Sequence, residues 1–408
     1  MKILYICPRF PYPADRGDTV VVHNQLKYLS RRNSITLLTM VTGSEGRQGE
    51  APLSDYCERI ETFRKGPNFS LKNFWRALLT RDPFTVIRYR SQRMFERSKW
   101  LIESGGFDIV YVAFYYMGQY ALDPQITVPR GTAVILDTHN IEYLIYRRAR
   151  EIERHPLRRL LIALEASRIR RYELSRYRLF DRCLVFSDLD RAGIESLAQG
   201  AVLTVSPACM EIRGDAGAAP AAGAGALSIL FFGLLSTFAN EDAVLFFYQE
   251  VFPLIREKIP GVTLSIVGDD APRSIRKLAV DPLVKLLGHL PDMSDALRDA
   301  AVVVAPLRLG GGTRVKILES WAAGKAVVAT SVGVQGIDAT PGSDILIADT
   351  AAEFSRAVIA LLENPDRRRD IGAAALKKVR DLYDPEKMTL RLERILRETR
   401  ENKAGTAA

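Results

Sequence analysis

The stretch that decides the fold runs from Ala305 to Thr330 and reads APLRLGGGTRVKILESWAAGKAVVAT. Its first residues form a short apolar run that ends at Pro306, three glycines then allow the backbone to turn, and a helical pattern begins near Thr313. This order predicts a strand, a glycine-rich loop and a helix, which is a repeating unit of α/β domains. The amides of the glycines and the N-terminus of the helix favour an anion at this point.

Charged residues at the start of the same helix narrow the choice of anion. Arg314 and Lys316 place two cations near the glycines, and two cations suit a diphosphate. Glu319 follows about a turn and a half deeper, where a carboxylate can accept hydrogen bonds from two neighbouring ribose hydroxyls. The alternative is a glycine-rich loop whose basic residues are merely solvated. The coincidence of glycines, cations and carboxylate favours a nucleotide diphosphate site.

Short apolar runs alternate with helical patterns along the rest of the chain, as in parallel sheets. Helices are predicted at Thr19–Ser30, from about residue 141 to 177, and near Asp242–Lys258. The predicted strands are Ile3–Cys7, Ile35–Met40, Asp108–Ala113, Ala133–Asp137 and Cys183–Ser187 in a first series, and Ser228–Gly233, Thr263–Gly268, Val284–Gly288, Val302–Pro306, Ala326–Thr330 and Ile345–Ala348 in a second. The predicted fold class is α/β, with two doubly wound, Rossmann-like parallel-sheet domains facing a cleft that binds the ligand.

A composition break separates the two series. Residues 211–227 read EIRGDAGAAPAAGAGAL, a segment of small residues that cannot bury a core and is typical of a linker. The predicted domains are therefore residues 1–210 and residues 228–383, the second of which contains the candidate nucleotide diphosphate site. A last helix, residues 384–401, is expected to pack back on the N-terminal domain.

Composition and charge exclude several classes of protein. The chain has 408 residues, of which 47% are hydrophobic and 26% charged, so it is not collagen-like, a disulfide scaffold or disordered. Four cysteines without C-x-x-C spacing indicate a reduced, cytoplasmic chain and neither a disulfide framework nor a zinc site. The first ten residues predict a strand rather than a signal peptide, and the uncharged stretch 216–240 is too short in its apolar part to span a membrane.

The segment at residues 310–330 resembles the nucleotide-sugar site of the family 4 retaining glycosyltransferases, which have the GT-B architecture. PRFPYPADRGD at residues 8–18, DTHNIE at 137–142 and IVGDD at 266–270 stand where that family has related segments, so the resemblance covers essentially the whole chain. The set of motifs looks most like the sugar transferases of exosortase (PEP-CTERM) exopolysaccharide loci. The resemblance implies retaining, hexosyl-type transfer from a nucleotide diphosphate sugar to a glycan or lipid-linked acceptor in exopolysaccharide synthesis.

The resemblance also implies roles in the second half of the chain. Glu319 corresponds to the ribose-binding second glutamate of the family's E-x7-E motif, whereas the first glutamate is replaced by Gly311, whose backbone is then expected to hold the donor sugar. The Arg and Lys that the family usually has after the first strand of this domain are missing after Gly233, so Arg314 and Lys316 are the catalytic candidates for the diphosphate. The donor-binding candidates are Gly17, Gly233, Gly310, Gly311, Gly312, Thr313 and Glu319.

In the first half, the loop before the first helix matches the family position at which backbone approaches the donor phosphates and the reacting sugar. Gly17 takes that role, and Asp15 and Arg16 line the same loop toward the acceptor. Asp18 is also assigned to the acceptor side, with capping of the helix as an equal alternative.

His139 is the third catalytic candidate, because it follows the end of a predicted strand and faces the donor sugar in the family. Asn140 is assigned to the acceptor side, and Glu142 is a weaker candidate. Asp188 and Asp190 form a D-x-D sequence but are expected to be acids at the start of a helix. No metal and no cofactor beyond the donor substrate are therefore expected. Two alternatives stay open, a catalytically silent nucleotide-sugar-binding partner and a GT-B-like nucleotide-sugar epimerase.

Positive charge is concentrated in the first half. Residues 1–207 hold 32 Lys+Arg and 22 Asp+Glu, a net charge of +10, against 25 and 26, a net charge of −1, in residues 208–408. Within it, Arg147–Arg182 holds 12 Arg and 5 acidic residues, and Arg64–Lys99 holds 10 Lys+Arg and 2 acidic residues among aromatic side chains. Such segments suit an anionic membrane surface or a lipid diphosphate, and no nucleic-acid module accompanies them. Attachment to the inner face of the membrane is predicted, the alternative being solvated helix faces.

Overall fold

The computed structural model of the chain describes residues 1–14, 16–42, 50–66, 80–153, 155–212, 227–309 and 315–405. These residues fold into two compact units. The N-terminal unit consists of Met1–Pro13, Val22–Pro207 and Glu386–Ala408, and the C-terminal unit of Ala14–Val21 and Ala208–Pro385. Each unit has its own parallel sheet, so the predicted α/β class with two parallel-sheet domains is confirmed.

The sheet of the N-terminal unit has the strand order β3-β2-β1-β4-β5-β6-β7. Its strands are β1 (Lys2–Cys7), β2 (Ser34–Val41), β3 (Arg59–Arg64), β4 (Ile109–Ala113), β5 (Ala133–Asp137), β6 (Arg182–Val185) and β7 (Leu203–Val205). All neighbouring strands run parallel, with Ile3 level with both Ile35 and Ile109. The central strands are buried on both faces, which explains why they are continuous apolar runs in the sequence.

Helices cover this sheet. They are α1 (Gly17–Leu29), α2 (Glu50–Ser54), α3 (Phe84–Arg88), α4 (Gln92–Ser104), α5 (Glu142–Ile152), α6 (Pro156–Tyr177) and α7 (Asp188–Glu195). The single long helix predicted for residues 141–177 is wrong, because α5 and α6 are separate helices. Pro156 has no amide hydrogen and disfavours a helical conformation of the residue before it, so it ends one helix and begins the next.

The sheet of the C-terminal unit has the order β10-β9-β8-β11-β12-β13. Its strands are β8 (Ser228–Phe232), β9 (Thr263–Val267), β10 (Val284–Gly288), β11 (Val302–Ala305), β12 (Val327–Ala329) and β13 (Leu346–Ile347). Its helices are α8 (Phe238–Phe246), α9 (Phe252–Lys258), α10 (Arg273–Arg276), α11 (Ser294–Asp299), α12 (Val315–Ala322), α13 (Ala351–Glu363) and α14 (Pro365–Leu382). The helix predicted near Asp242–Lys258 is interrupted by a π-helical turn at Phe247–Val251, just before Pro253.

The last helix, α15 (Pro385–Gly405), belongs to the N-terminal unit. Several ion pairs hold it there: Glu393 accepts from Nε of Arg32 at 2.8 Å, Arg400 lies 2.7 Å from Asp108, and Lys403 lies 2.7 Å from Asp181. The buried side of the helix adds Leu392, Ile395 and Leu396 to the core of the same unit.

Among the helices in the described part of the chain, none combines the length and apolar character needed to cross a membrane. Cys7, Cys57, Cys183 and Cys209 are all buried free thiols. Burial raises the pKa of the Cys57 thiol to about 12, so this thiol stays protonated at neutral pH.

Candidate functional site

Each sheet has one point at which the strand order reverses. This point lies between β1 and β4 in the N-terminal unit and between β8 and β11 in the C-terminal unit. Ligands of doubly wound sheets bind beyond the carboxyl ends of the strands at such a point. In the C-terminal unit, Gly233 follows β8 directly, and β11 leads into the glycine-rich segment.

Two glycines at the carboxyl ends of β8 and β9 bring their backbones into direct contact. Gly233 has a φ of 145° and Gly268 a φ of 151°, values that residues with a side chain rarely adopt. A Cβ atom on Gly268 would lie 1.8 Å from the carbonyl oxygen of Gly233. Only glycine fits at position 268, which explains this residue of the IVGDD segment.

Lys316 directs its ammonium group toward the end of β8. Its Nζ lies 4.3 Å from the ring centroid of Phe231 and donates a hydrogen bond to Oδ1 of Asn240 at 2.8 Å. The side-chain amide of Asn240 donates in turn to the carbonyl of Leu234 at 2.9 Å. A Cβ atom on Gly233 would lie 3.2 Å from Nζ of Lys316. Two predicted site residues from distant segments are thus brought together, with a cation beside glycine backbone.

The loop before α1 also contributes to the C-terminal unit. A Cβ atom on Gly17 would lie 3.2 Å from the Cβ of Val315, the first residue of α12. Arg16 donates to Oδ2 of Asp269 at 3.0 Å, and Nδ1 of His289 lies 3.3 Å from Oδ1 of the same carboxylate. Arg16 is therefore paired with the IVGDD segment, and its assignment to the acceptor stays a prediction.

Glu319 is half-buried on α12, three residues after Lys316, so both side chains lie on one side of the helix. Its ribose-binding role stays a prediction. The remaining predicted residues of this loop lie outside the described residues: Gly310, Gly311, Gly312, Thr313 and Arg314. Asp15 lies outside them as well.

His139 lies in a buried turn at the carboxyl end of β5. Its φ of 51° is uncommon for a residue with a side chain and indicates local strain. The imidazole stacks on Phe114 with 4.3 Å between ring centroids, and its Nε2 lies 3.5 Å from Oδ2 of Asp137. The same carboxylate accepts hydrogen bonds from Gln25 at 2.8 Å and from the hydroxyl of Tyr111 at 2.7 Å.

These contacts fix the charge of Asp137. Burial by itself would raise the pKa of this carboxyl, but His139 and the two hydrogen bonds outweigh burial and lower the pKa below its usual value. A carboxylate that stays charged in the interior holds the neighbouring imidazole in one orientation.

Asn140 and Asp18, the two remaining acceptor-side candidates, lie at the turn after β5 and at the start of α1. The backbone amide of Asn140 donates to the carbonyl of Thr138 at 2.5 Å, which closes the turn around His139. Asp18 is the second residue of α1, where a carboxylate interacts favourably with the helix dipole. Their contact with an acceptor stays a prediction.

Glu142, the first residue of α5, and Glu173 on α6 are in contact and interact electrostatically. Glu173 is fully buried and accepts hydrogen bonds from the backbone amides of Glu142 at 3.1 Å and Tyr143 at 3.0 Å and from the hydroxyl of Tyr177 at 2.7 Å. Burial raises the pKa of both carboxyls to about 7, and the charge of Glu173 contributes to the rise at Glu142. One proton is therefore easily held by the pair near neutral pH.

Three cations surround the phenol of Tyr89 in the same unit. Nζ of Lys65 lies 3.4 Å from the Tyr89 hydroxyl, and the guanidinium of Arg88 lies 5.8 Å from the ring centroid. Burial alone would raise the pKa of Tyr89, but the charges of Arg9, Lys65 and Arg88 outweigh it and lower the pKa. Tyr89 also stacks on Tyr116 at 4.7 Å. The three cations make the surroundings of Tyr89 positive, which favours an anionic ligand.

Several of these residues were missed by sequence reasoning. Asp137 stands inside the quoted DTHNIE segment, and a charged residue at the end of an apolar strand is the signal that indicates it. Arg9 and Lys65 follow β1 and β3 closely, but β3 was not predicted, so Lys65 had no place in the sheet.

Among the residues that the structure describes, no cluster of three His, Cys, Asp or Glu side chains has the arrangement of a metal site. Asp188 and Asp190 lie in the first turn of α7.

Comparison with protein families finds a match within the C-terminal unit. The family model described as glycosyl transferases group 1 matches residues 226–364, which include Gly233, Lys316 and Glu319. Trehalose synthase of Pyrococcus horikoshii is 28% identical over 145 residues, or 32% of this chain and 35% of that protein. A GDP-mannose-dependent monoacylated alpha-(1-6)-phosphatidylinositol monomannoside mannosyltransferase of Corynebacterium glutamicum is 33% identical over 36% of this chain and 42% of that protein. The chain thus spans less than half the length of these curated relatives.

Solved structures resemble the whole chain in fold. Sucrose-phosphate synthase from Thermosynechococcus elongatus superposes with a TM-score of 0.69 at 16% identity, over 98% of both chains. Anabaena HepE in complex with UDP and glucose gives a TM-score of 0.66 at 14% identity, over 97% of this chain and 99% of that one. At these identities the similarity establishes the fold, which is that of the GT-B glycosyltransferases.

Proposed function

We propose that the protein is a retaining, hexosyl-type glycosyltransferase that uses a nucleotide diphosphate sugar and acts on a glycan or lipid-linked acceptor in exopolysaccharide synthesis. One observation carries the proposal. The ammonium of Lys316 stands beside the glycine backbone at the end of β8, within the segment that matches the glycosyl transferases group 1 model. HepE, whose solved complex contains UDP and glucose, shares this fold.

The donor is assigned to the C-terminal unit. Lys316, together with Arg314 and the amides of Gly310–Gly312, balances the charge that develops on the leaving diphosphate. Glu319 accepts hydrogen bonds from the ribose hydroxyls, and no metal is assigned a role. The bond between the anomeric carbon and the diphosphate oxygen breaks, the acceptor oxygen bonds to that carbon on the same face, and the acceptor proton passes to the leaving phosphate.

The acceptor is assigned to the N-terminal unit. His139 contacts the transferred sugar in this proposal, oriented by the charged carboxylate of Asp137. The cations of Arg9, Lys65 and Arg88 favour an acceptor with a phosphate, such as a lipid diphosphate. The basic first half of the chain supports attachment to the cytoplasmic face of an anionic membrane.

Two measurements test the proposal. A thermal-shift screen over UDP, GDP, ADP and their sugars identifies the nucleotide, since a ligand at a hundredfold excess over its Kd stabilises the folded state by about 2.7 kcal/mol. Release of nucleotide from the matching sugar donor, unchanged by a chelator and reduced about a hundredfold by Lys316→Ala, is expected for a metal-independent transferase. Binding without any turnover, with or without lipid-linked acceptors, would contradict the proposal.

A further inference from the structure

A row of leucines lies on the surface of the N-terminal unit. Leu157, Leu160, Leu161 and Leu164 on α6 are 60%, 56%, 57% and 52% exposed. Their spacing of three, four and seven residues from the first places them on one side of the helix. Single exposed leucines are ordinary, but a contiguous row marks an interaction surface. We name these four residues the leucine face.

The leucine face is not part of the core of this unit. The buried residues of α6 include Ala166, Ile169 and Glu173. At about 100° per residue, these lie on the side of the helix opposite the leucine face. The helix therefore packs on its unit through other side chains, and the leucines are left for a partner outside it.

Positive charge surrounds the leucine face. Residues 147–164 hold six arginines and two glutamates, a net charge of +4. Arg147 and Arg150 on α5 and Arg158 on α6 are exposed. Further along α6, Arg168 and Arg171 continue the line of the leucines. The surface is thus apolar along the leucines, with Arg158 at one border and Arg168 and Arg171 at its far end.

We propose that the leucine face and its arginines dock the protein on an anionic lipid bilayer. This inference deepens, and rests on, the proposed attachment to a membrane. Leucines enter the boundary between head groups and acyl chains when such a helix lies flat, while arginines reach the lipid phosphates. A second copy of this chain fits the surface poorly, because a two-fold contact through the leucines would bring two surfaces of like positive charge together, with Arg168 and Arg171 of both copies near the contact.

The second basic segment of this unit, Arg64–Lys99, is less suited to binding an anionic membrane. Arg90 donates to Asp82 at 3.0 Å, and Arg97 makes a two-pronged contact with Glu61 at 2.7 and 2.8 Å. Cations paired in this way attract lipid phosphates less than solvent-exposed arginines such as Arg158 and Arg171 do.

Co-sedimentation of the full chain with vesicles tests the docking surface. Vesicles of equal parts phosphatidylcholine and phosphatidylglycerol are compared with phosphatidylcholine alone. We expect binding to the anionic vesicles, and a loss of about tenfold or more when all four leucines of the leucine face are replaced by Gln. The matched control replaces Leu254, Leu287, Leu382 and Leu390, which are 38% to 49% exposed elsewhere, and should bind as the parent does. Arg158→Gln with Arg171→Gln should weaken binding and its dependence on salt.

A second readout does not depend on the fourfold variant folding. Leu160→Trp should give a blue-shifted emission and quenching by brominated lipid on anionic vesicles, whereas Leu254→Trp should give neither. Full binding by the fourfold leucine variant, or no spectral response from Leu160→Trp, would overturn the docking surface even if the chain transfers sugar to a water-soluble acceptor. A parent dimer that the fourfold variant converts to a monomer, without any vesicle binding, would replace the lipid by a second copy. If the chain binds anionic vesicles but does not transfer sugar, the docking surface is supported and only the proposed transferase activity is contradicted.

Discussion

Nε2 of His139 lies 3.5 Å from Oδ2 of Asp137, and both residues are at most 5% exposed. With so little solvent present, the carboxylate decides the orientation of the imidazole. Gln25 on α1 and Tyr111 on β4 hold the carboxylate in turn, so a helix and a neighbouring strand support the turn around His139. This is the arrangement expected of a side chain that must stay positioned while a substrate binds and leaves.

His139→Ala should lower kcat and leave the Kd of the nucleotide alone unchanged, because His139 belongs to the N-terminal unit. Asp137→Asn should lower kcat less, since an amide of the same shape keeps the packing and loses only the charge that faces Nε2. Steady-state kinetics and nucleotide titration measure the two effects, with Asp123→Asn as the control. An equal loss of nucleotide affinity in His139→Ala would make this residue structural.

Gly233→Ala should disturb the site through its geometry. The new Cβ would lie 3.0 Å from the side-chain amide of Asn240 and 3.2 Å from Nζ of Lys316, at a φ of 145°. The strained backbone costs about 1–3 kcal/mol of stability, and displacement of the ammonium weakens nucleotide binding. Urea unfolding and thermal shift measure the two effects. Gly261→Ala, whose Cβ meets only Leu227 at 3.8 Å, should change neither, and equal effects in both variants would contradict the argument.

Glu319→Ala should weaken nucleoside and nucleotide binding by about 1.5–3 kcal/mol, because the ribose hydroxyls lose a charged acceptor. Glu319→Gln keeps one acceptor oxygen and should lose less. Glu363→Ala, at an exposed position of the same unit, is the control. Unchanged nucleoside affinity in Glu319→Ala would remove this residue from the ribose role.

The strands that the sequence predicted, and the two that it missed, differ in where they lie in the sheet. The central strands are buried on both faces and are continuous apolar runs, which short-range patterns reveal. β3 (RIETFR) and β7 (LTV) are the two edge strands of the N-terminal sheet and are mostly half-buried. Edge strands tolerate polar residues, so their sequences lack the signal.

Local sequence patterns also fail to predict contacts in the site between residues that are far apart in the chain. Lys316 was predicted from its place after three glycines, but its partner Asn240 lies 76 residues earlier in the chain. The contact exists because β8 and β11 are neighbours in the sheet, and a local pattern does not encode which strands are neighbours. Asp137 and Gln25 meet across 112 residues for a similar reason.

Lys65→Met and Arg88→Gln should each raise KM for an acceptor that contains a phosphate more than KM for the same acceptor without it. The positive charges around Tyr89 favour binding of the phosphate. Arg93→Gln, exposed on α4 in the same basic segment, is the control. If KM rises equally for both acceptors, the three cations stabilise the fold and do not recognise the phosphate of the acceptor.

The carboxyl pair of Glu142 and Glu173 should make stability depend on pH near neutrality. Burial raises the pKa of both to about 7, against an ordinary value of 4.5 in the unfolded chain. Between these values the folded state holds a proton that the unfolded state has released, so the free energy of unfolding falls as the pH rises from about 4.5 to 7. Glu142→Gln removes one carboxyl whose pKa the folded state raises, and should be more stable than the parent by about 1–3 kcal/mol at pH 8 but equal to it at pH 4. Urea unfolding at both pH values measures this difference, with Glu151→Gln, exposed on the same helix, as the control. A gain at pH 8 that persists at pH 4, or one that Glu151→Gln reproduces, would mean that the pair is not the source.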